Sequence, residues 1–103
     1  MPPNFRIFFT KNSNNDRLRL VAYLAELETK QRRLFALAQG ISKLPSKWKL
    51  CPYYDSTKGI RVKYVEGWYS VFFTVDEHAR HIVVVGILGQ AEDLDILINR
   101  NGT

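Results

Sequence analysis

Cysteine is nearly absent: Cys51 is the only one in 103 residues. No internal disulfide can form, which favours a reducing compartment. Long apolar runs are missing too. No stretch approaches the ~20 residues that a membrane helix needs, so no membrane partner is expected. The N-terminal MPPNFRIFF has neither the basic start nor the long apolar centre of a secretory signal. Together these absences predict a cytoplasmic protein. Glycine-rich phosphate loops are lacking, since Gly86 and Gly89 make only a G-x-x-G beside a strand end. Histidine is scarce. His78 and His81 fall three apart in a predicted turn, with no cysteine or helical frame to complete the three or four ligands of a zinc site. No metal and no cofactor is expected. Cys51 sits between Leu50 and Pro52 with no base beside it, and reads as a half-buried structural thiol. Asp93 and Asp95 pair up only in the tail, on a segment with no predicted pocket, and read as a solvated face.

What is present is enough for one domain spanning residues 1–103. Hydrophobic residues make up 46%, and a chain of this size buries an adequate core. The net charge is +5, which suits an acidic partner as well as ordinary solubility. The charge is uneven. From Lys30 to Lys63 nine residues are basic and only Asp55 is acidic. After Leu88, Glu92, Asp93 and Asp95 face Arg100 alone. A polarised surface bears on association and says little about fold.

The strongest pattern lies between Gly59 and Leu94. Ile60, Val62 and Tyr64 alternate with Arg61 and Lys63. Tyr69, Val71, Phe73 and Val75 alternate with Ser70, Phe72 and Thr74. His81 to Leu88 is apolar at almost every position, as in a strand covered on both faces. β-branched and aromatic residues dominate all three runs. Glu66-Gly67 and Asp76 to Arg80 are the turns of this antiparallel meander.

Upstream, Phe5 to Thr10 predicts a short strand. A helix is expected from about Asn14 to Glu28, with Leu20, Leu24 and Leu27 at the helical period and Ser13 as its cap. After a break near Thr29 the apolar pattern resumes with Leu34, Phe35, Leu37, Ala38, Ile41 and Leu44, as a second helix or the far part of one long bent helix. Pro45 ends it, because its ring removes a donor. Ser46 to Lys58 reads as loop, with Trp48 and Leu50 tucked under it. Gln90 to Asn99 forms a terminal segment whose Leu94, Ile96, Leu97 and Ile98 pack on the sheet or on a partner. The fold class is α+β: β-α-α-β-β-β, with a helical hairpin on one face of a small, mainly antiparallel sheet. Arg61 and Lys63 share a face of the first meander strand, and Arg80 lies at the far turn. Such residues either hold phosphates or stud a solvated outer face.

The order of motifs resembles the RelE/ParE superfamily of bacterial toxin-antitoxin toxins. The resemblance runs through the N-terminal strand, a helical hairpin ending in Leu44-Pro45, Gly59-Ile60-Arg61, Gly67-Trp68-Tyr69 leading into the next strand, and Val83 to Leu94. It implies a toxin held by a cognate antitoxin through an extended, often acidic segment. One branch cuts mRNA on the ribosome, using cations and an acid-base pair on an in-line 2′-OH attack. Here Ser70 stands where that branch has arginine, and Gln90 and Ala91 where it has a basic residue. The resemblance is therefore closer to the ParE-like branch, which implies a non-enzymatic inhibitor binding DNA gyrase. The alternatives are a ribosome-dependent RNase and an inactive relative that keeps only antitoxin binding. Arg61, Lys63 and Arg80 are the expected polar contacts with antitoxin or target, and Leu94 and Leu97 the expected apolar ones.

Overall fold

The computed structural model describes residues 5–23 and 30–89. Its strands are β1 (Arg6–Phe9), β2 (Tyr53–Asp55), β3 (Ile60–Val65), β4 (Tyr69–Asp76) and β5 (His81–Gly89). Its helices are α1 (Lys11–Tyr23), α2 (Lys30–Ser42) and the short α3 (Leu44–Lys47), followed by a 3-10 turn at Trp48–Leu50. The strands form one sheet in the order β1-β5-β4-β3-β2. The meander is antiparallel as expected, while β1 runs parallel to β5. The α+β reading holds, with one strand more than the sequence suggested. Tyr53–Asp55, expected as loop, pairs with β3 as an edge strand.

Alternation puts two apolar sets on opposite faces of the sheet. Val65, Tyr69, Val71, Phe73, Ile82, Val84 and Ile87 pack with Leu20, Leu37, Ile41, Leu44 and Trp48 from the helical layer. Ile60, Val62, Phe72 and Leu88 cluster on the other side. Phe73, Ile82 and Val84 are fully buried, each contributing about 1.5–3 kcal/mol by leaving water. The register of β4 with β5 shifts between Phe72, opposite Gly86, and Phe73, opposite Val84. Val85 is the extra residue, and this bulge lets Ile87 face the helices where strict alternation from Val84 would turn it away.

Helix α1 starts earlier than its apolar period suggests. Thr10 is the cap: its Oγ1 accepts the Ser13 N–H at 3.1 Å, and its carbonyl accepts the Ser13 hydroxyl at 3.0 Å. Ser13 is thus a buried residue of the first turn and not the cap. Asp16 is buried as well. Its Oδ2 accepts the Ile87 N–H at 3.0 Å, and its Oδ1 pairs with Arg19 at 2.7 Å. Arg19 in turn donates to the Ile87 carbonyl at 3.2 Å. β1 pairs with β5 only as far as Val84, so α1 side chains take over the main-chain groups of Ile87.

Pro45 opens a helical turn where the sequence suggested an end. α2 stops at Ser42, and Pro45 sits in the first turn of α3, where its missing N–H costs nothing. Gly40 permits the close approach of α2 to β3: a Cβ there would lie 2.8 Å from Val65 Cγ2. The β3–β4 turn needs two positive φ values, Glu66 at 55° and Gly67 at 72°, and closes with Trp68 N–H to Val65 C=O at 2.9 Å. β5 begins at His81, where the run read as a strand begins. The predicted helix break near Thr29 and the tail with Leu94 and Leu97 lie outside the described residues.

Candidate functional site: the basic edge of the sheet

The sequence points to Arg61, Lys63 and Arg80. The structure separates them. Arg61 and Lys63 belong to β3, and Arg80 to the β4–β5 turn. On β3, Arg61 and Lys63 do lie opposite Ile60 and Val62. Their face is the one the helices cover, however, so both are half-buried and not on a solvated outer face. Tyr64, which shares the face of Ile60 and Val62, is 66% exposed.

Arg61 is engaged on every side. It donates to the Cys51 carbonyl at 2.8 Å and to the Tyr53 hydroxyl at 3.0 Å. Its guanidinium lies 4.1 Å from the centre of the Tyr53 ring and 5.2 Å from that of Trp48. A planar cation with five donors can stack and hydrogen-bond at once, as lysine cannot. Trp48 is buried and also meets Phe5, at 5.8 Å between ring centres. Val62 N–H reaches the Pro52 carbonyl at 3.0 Å. Arg61 therefore pins the segment from Trp48 to Tyr53 against β3, and β2 follows from that.

Cys51 lies inside this arrangement. It is buried, and its thiol approaches the Lys47 carbonyl at 3.6 Å. Burial raises its pKa, and the Lys63 and Arg61 charges pull only partly the other way. A neutral thiol donating to a carbonyl is a poor nucleophile, in keeping with the structural role read from the sequence.

The charge that remains available at this edge is that of lysines. Lys43, Lys47, Lys49 and Lys58 are all exposed. Lys47 and Lys49 stand in the segment that leads to the exposed Leu50 and Tyr53, at 78% and 53% exposure. Leu50 is thus a surface residue, while Trp48 alone serves as the plug expected of both. A loop holds Lys58 in place: Asp55 Oδ1 accepts the N–H groups of Thr57 and Lys58 at 3.0 and 3.2 Å. This surface suits an acidic, partly apolar segment better than a small substrate.

A second buried polar pair went unnoticed in the sequence. Tyr69, at the start of β4, is 4% exposed, and its hydroxyl has no hydrogen-bond partner among the described residues. Burial raises its pKa, with Arg33 of α2 opposing. Arg33 stacks over Trp68 at 5.2 Å, and its Nε is likewise buried without a partner among the described residues. No sequence signal marks this pair, because Tyr69 reads simply as one more inward residue of an alternating strand. Ser70, its neighbour, faces the other side of the sheet. No three His, Cys, Asp or Glu side chains come together among the described residues, and no described helix is long and apolar enough to cross a membrane.

No protein-family model matches the chain, and no curated protein sequence does either. Solved structures do. The chain is similar to one in the chromosomal ParDE TA system from P. aeruginosa, at 16% identity and a TM-score of 0.66, over 81% of this chain and 92% of that one. It is similar also to a chain of the toxin-antitoxin complex RelBE2 from Mycobacterium tuberculosis, at 16% identity and a TM-score of 0.62, over 82% and 96%. At that identity the likeness is one of fold.

Proposed function

We propose that this chain is the toxin of a type II toxin-antitoxin module of the RelE/ParE superfamily, held inactive by a cognate antitoxin. We infer further that it acts in the ParE-like manner, by binding DNA gyrase in the cytoplasm, and not as a ribosome-dependent mRNA endoribonuclease. The shared fold, covering four-fifths of the chain in two toxin-antitoxin complexes, supports the first statement. The state of Arg61 supports the second. An in-line attack on phosphate needs cations free to meet the developing charge, and losing one such stabiliser costs about 10²–10³ in rate. Arg61 is committed to a carbonyl, a hydroxyl and two rings, and Ser70 carries no charge at all.

The antitoxin would lie along the lysine edge. An acidic segment that folds on binding gains from Lys47, Lys49 and Lys58 in charge and from Leu50 and Tyr53 in apolar contact. Arg61, expected from the sequence as a contact, serves this surface by shaping it.

Expression from a tight promoter tests the reading. Arrest of growth with induction of the DNA-damage response and intact mRNA is expected, relieved when the adjacent antitoxin gene is co-expressed. Rapid in-frame cleavage of mRNA on ribosomes would instead establish the nuclease. Growth unaffected at full expression would mean a relative that only binds antitoxin.

A further inference from the structure

We infer that the end of the sheet where β1 meets β5 is a binding site for a phosphate group. A cleft of about 410 Å³ opens there, lined by Phe5, Arg6, Ala79, Arg80 and His81. The topology builds it. Arg6 and His81 are register partners in the parallel pair β1–β5, and the Arg6 N–H donates to the Arg80 carbonyl at 3.0 Å. The last residue of the β4–β5 turn is thereby tied to the first residue of β1, and two arginines enter one cleft.

The state of these side chains distinguishes them from the other described arginines near the aromatic residues. Arg17 lies over Phe9 at 4.1 Å, Arg33 over Trp68, and Arg61 over Tyr53 and Trp48. The guanidinium groups of Arg6 and Arg80 have no hydrogen bond, ion pair or ring contact among the described residues. Among the described residues no carboxylate lines the cleft. The nearest acid on the neighbouring strand is Asp76, opposite His81, and its Oδ1 is occupied by the Ala79 N–H at 3.0 Å. Two cations thus line one cleft, and among the described residues neither is paired with a carboxylate.

The backbone adds a second reason. Arg80 takes a φ of 58°, a region that glycine or asparagine occupies at less cost than a long side chain does. A turn chosen for its conformation alone would carry one of those residues. His81 is fixed at the mouth by an edge contact of its ring with Phe8, 4.6 Å between centres. Two forked guanidiniums and an imidazole offer more donors and more charge than one carboxylate can use. A phosphate, with up to two charges and three terminal oxygens, matches them. The cleft is independent of the reading of the chain as a toxin, and lies apart from the lysine edge.

Inorganic phosphate is the probe, titrated at constant ionic strength into the isotopically labelled full-length protein and followed by amide NMR. Saturable shifts are expected at Arg6, Ala79, Arg80 and His81. Acetate at the same ionic strength should bind at least about fivefold more weakly, because it engages one guanidinium fork where phosphate engages two. Arg6→Gln and Arg80→Asn should each weaken phosphate binding about fivefold or more, as expected for loss of one charge-assisted contact. Asparagine keeps the left-handed backbone accessible, and unchanged core amides at Val71 and Ile82 confirm the fold. Parallel titrations with a mononucleotide and a short single-stranded oligonucleotide tell a free phosphate from one carried on a nucleotide or a strand. Non-saturating shifts, shifts centred on Lys47 to Lys58, equal response to acetate, or affinity unchanged in both variants would each overturn the assignment.

Discussion

Arg61 and Arg80 look alike in the sequence: each is a basic residue of the meander, one on its first strand and one at its far turn. In the molecule they are opposites. Arg61 is half-buried beside two rings, and both of its terminal nitrogens donate, one to the Cys51 carbonyl and one to the Tyr53 hydroxyl. Arg80 is exposed on a left-handed turn, and its guanidinium has no hydrogen bond, ion pair or ring contact among the described residues. A formal charge therefore says little until its partners are known. At the β2–β3 edge the arginine is a structural brace, and lysines supply the field. At the β1–β5 end the arginines themselves are the available charge.

The contrast breaks first at Arg61. Arg61→Ala should destabilise the protein by about 2–3 kcal/mol, since two hydrogen bonds from a charged donor and the ring stacking are lost together. Arg61→Lys should recover less than half of that. Arg80→Ala, measured by the same urea titration, should change stability by no more than about 0.5 kcal/mol, as for a surface site without partners. Equal effects at the two arginines would dissolve the distinction.

The braced side can also be probed through Gly40. An added methyl meets Val65 at 2.8 Å. Gly40→Ala should cost about 1–2 kcal/mol as α2 is pushed from β3, although alanine favours helix by about 1 kcal/mol. A stabilised Gly40→Ala protein would show that the helix is not seated as described.

Tyr69 sharpens the same side through pH. Burial raises its pKa, so its contribution is fully present below the unfolded phenol value of about 10 and is lost as pH rises through the folded one. Tyr69→Phe should hold its urea midpoint better than the parent above pH 10. At neutral pH it should gain up to about 1 kcal/mol, because a buried hydroxyl with no partner among the described residues is removed. Cys51, also raised, contributes with the same sign in both proteins. Parallel alkaline limbs would refute the assignment.

On the available side the effect is smallest and opposite in sign. Arg80→Gly should raise stability by about 0.5–1 kcal/mol by relieving the left-handed backbone, while removing one cation from the cleft. A loss of stability would mean that the arginine is held by contacts after all.

Much of the fold was legible. Period-two runs placed β3, β4 and β5, and Leu20, Leu37 and Ile41 marked the helical layer. β2 was not legible, because Tyr53-Tyr54-Asp55 is too short to alternate, and Arg61 holds it from another strand. The helix start was misplaced because Ser13 is as good a cap as Thr10 in composition, and only packing buries one of them. For the site, Arg61, Lys63 and Arg80 were picked out by spacing, yet the β3 face left open as a phosphate site or a solvated outer face proved to be covered by helices. Alternation says which residues share a side, and not which side water reaches. Arg6 escaped notice because its link to Arg80 is made by parallel pairing between the first strand and the last, which no local pattern encodes.

The side-chain grip of Asp16 and Arg19 on Ile87 gives the chain a natural reporter. An amide held by a carboxylate from a distant helix exchanges its hydrogen only when that helix lifts away, whatever the ladder beside it does. The exchange rate of one amide, Ile87, thus reads out the docking equilibrium of the whole N-terminal unit. If anything that binds this protein tightens or loosens that unit, the change would be visible there first, far from the point of contact.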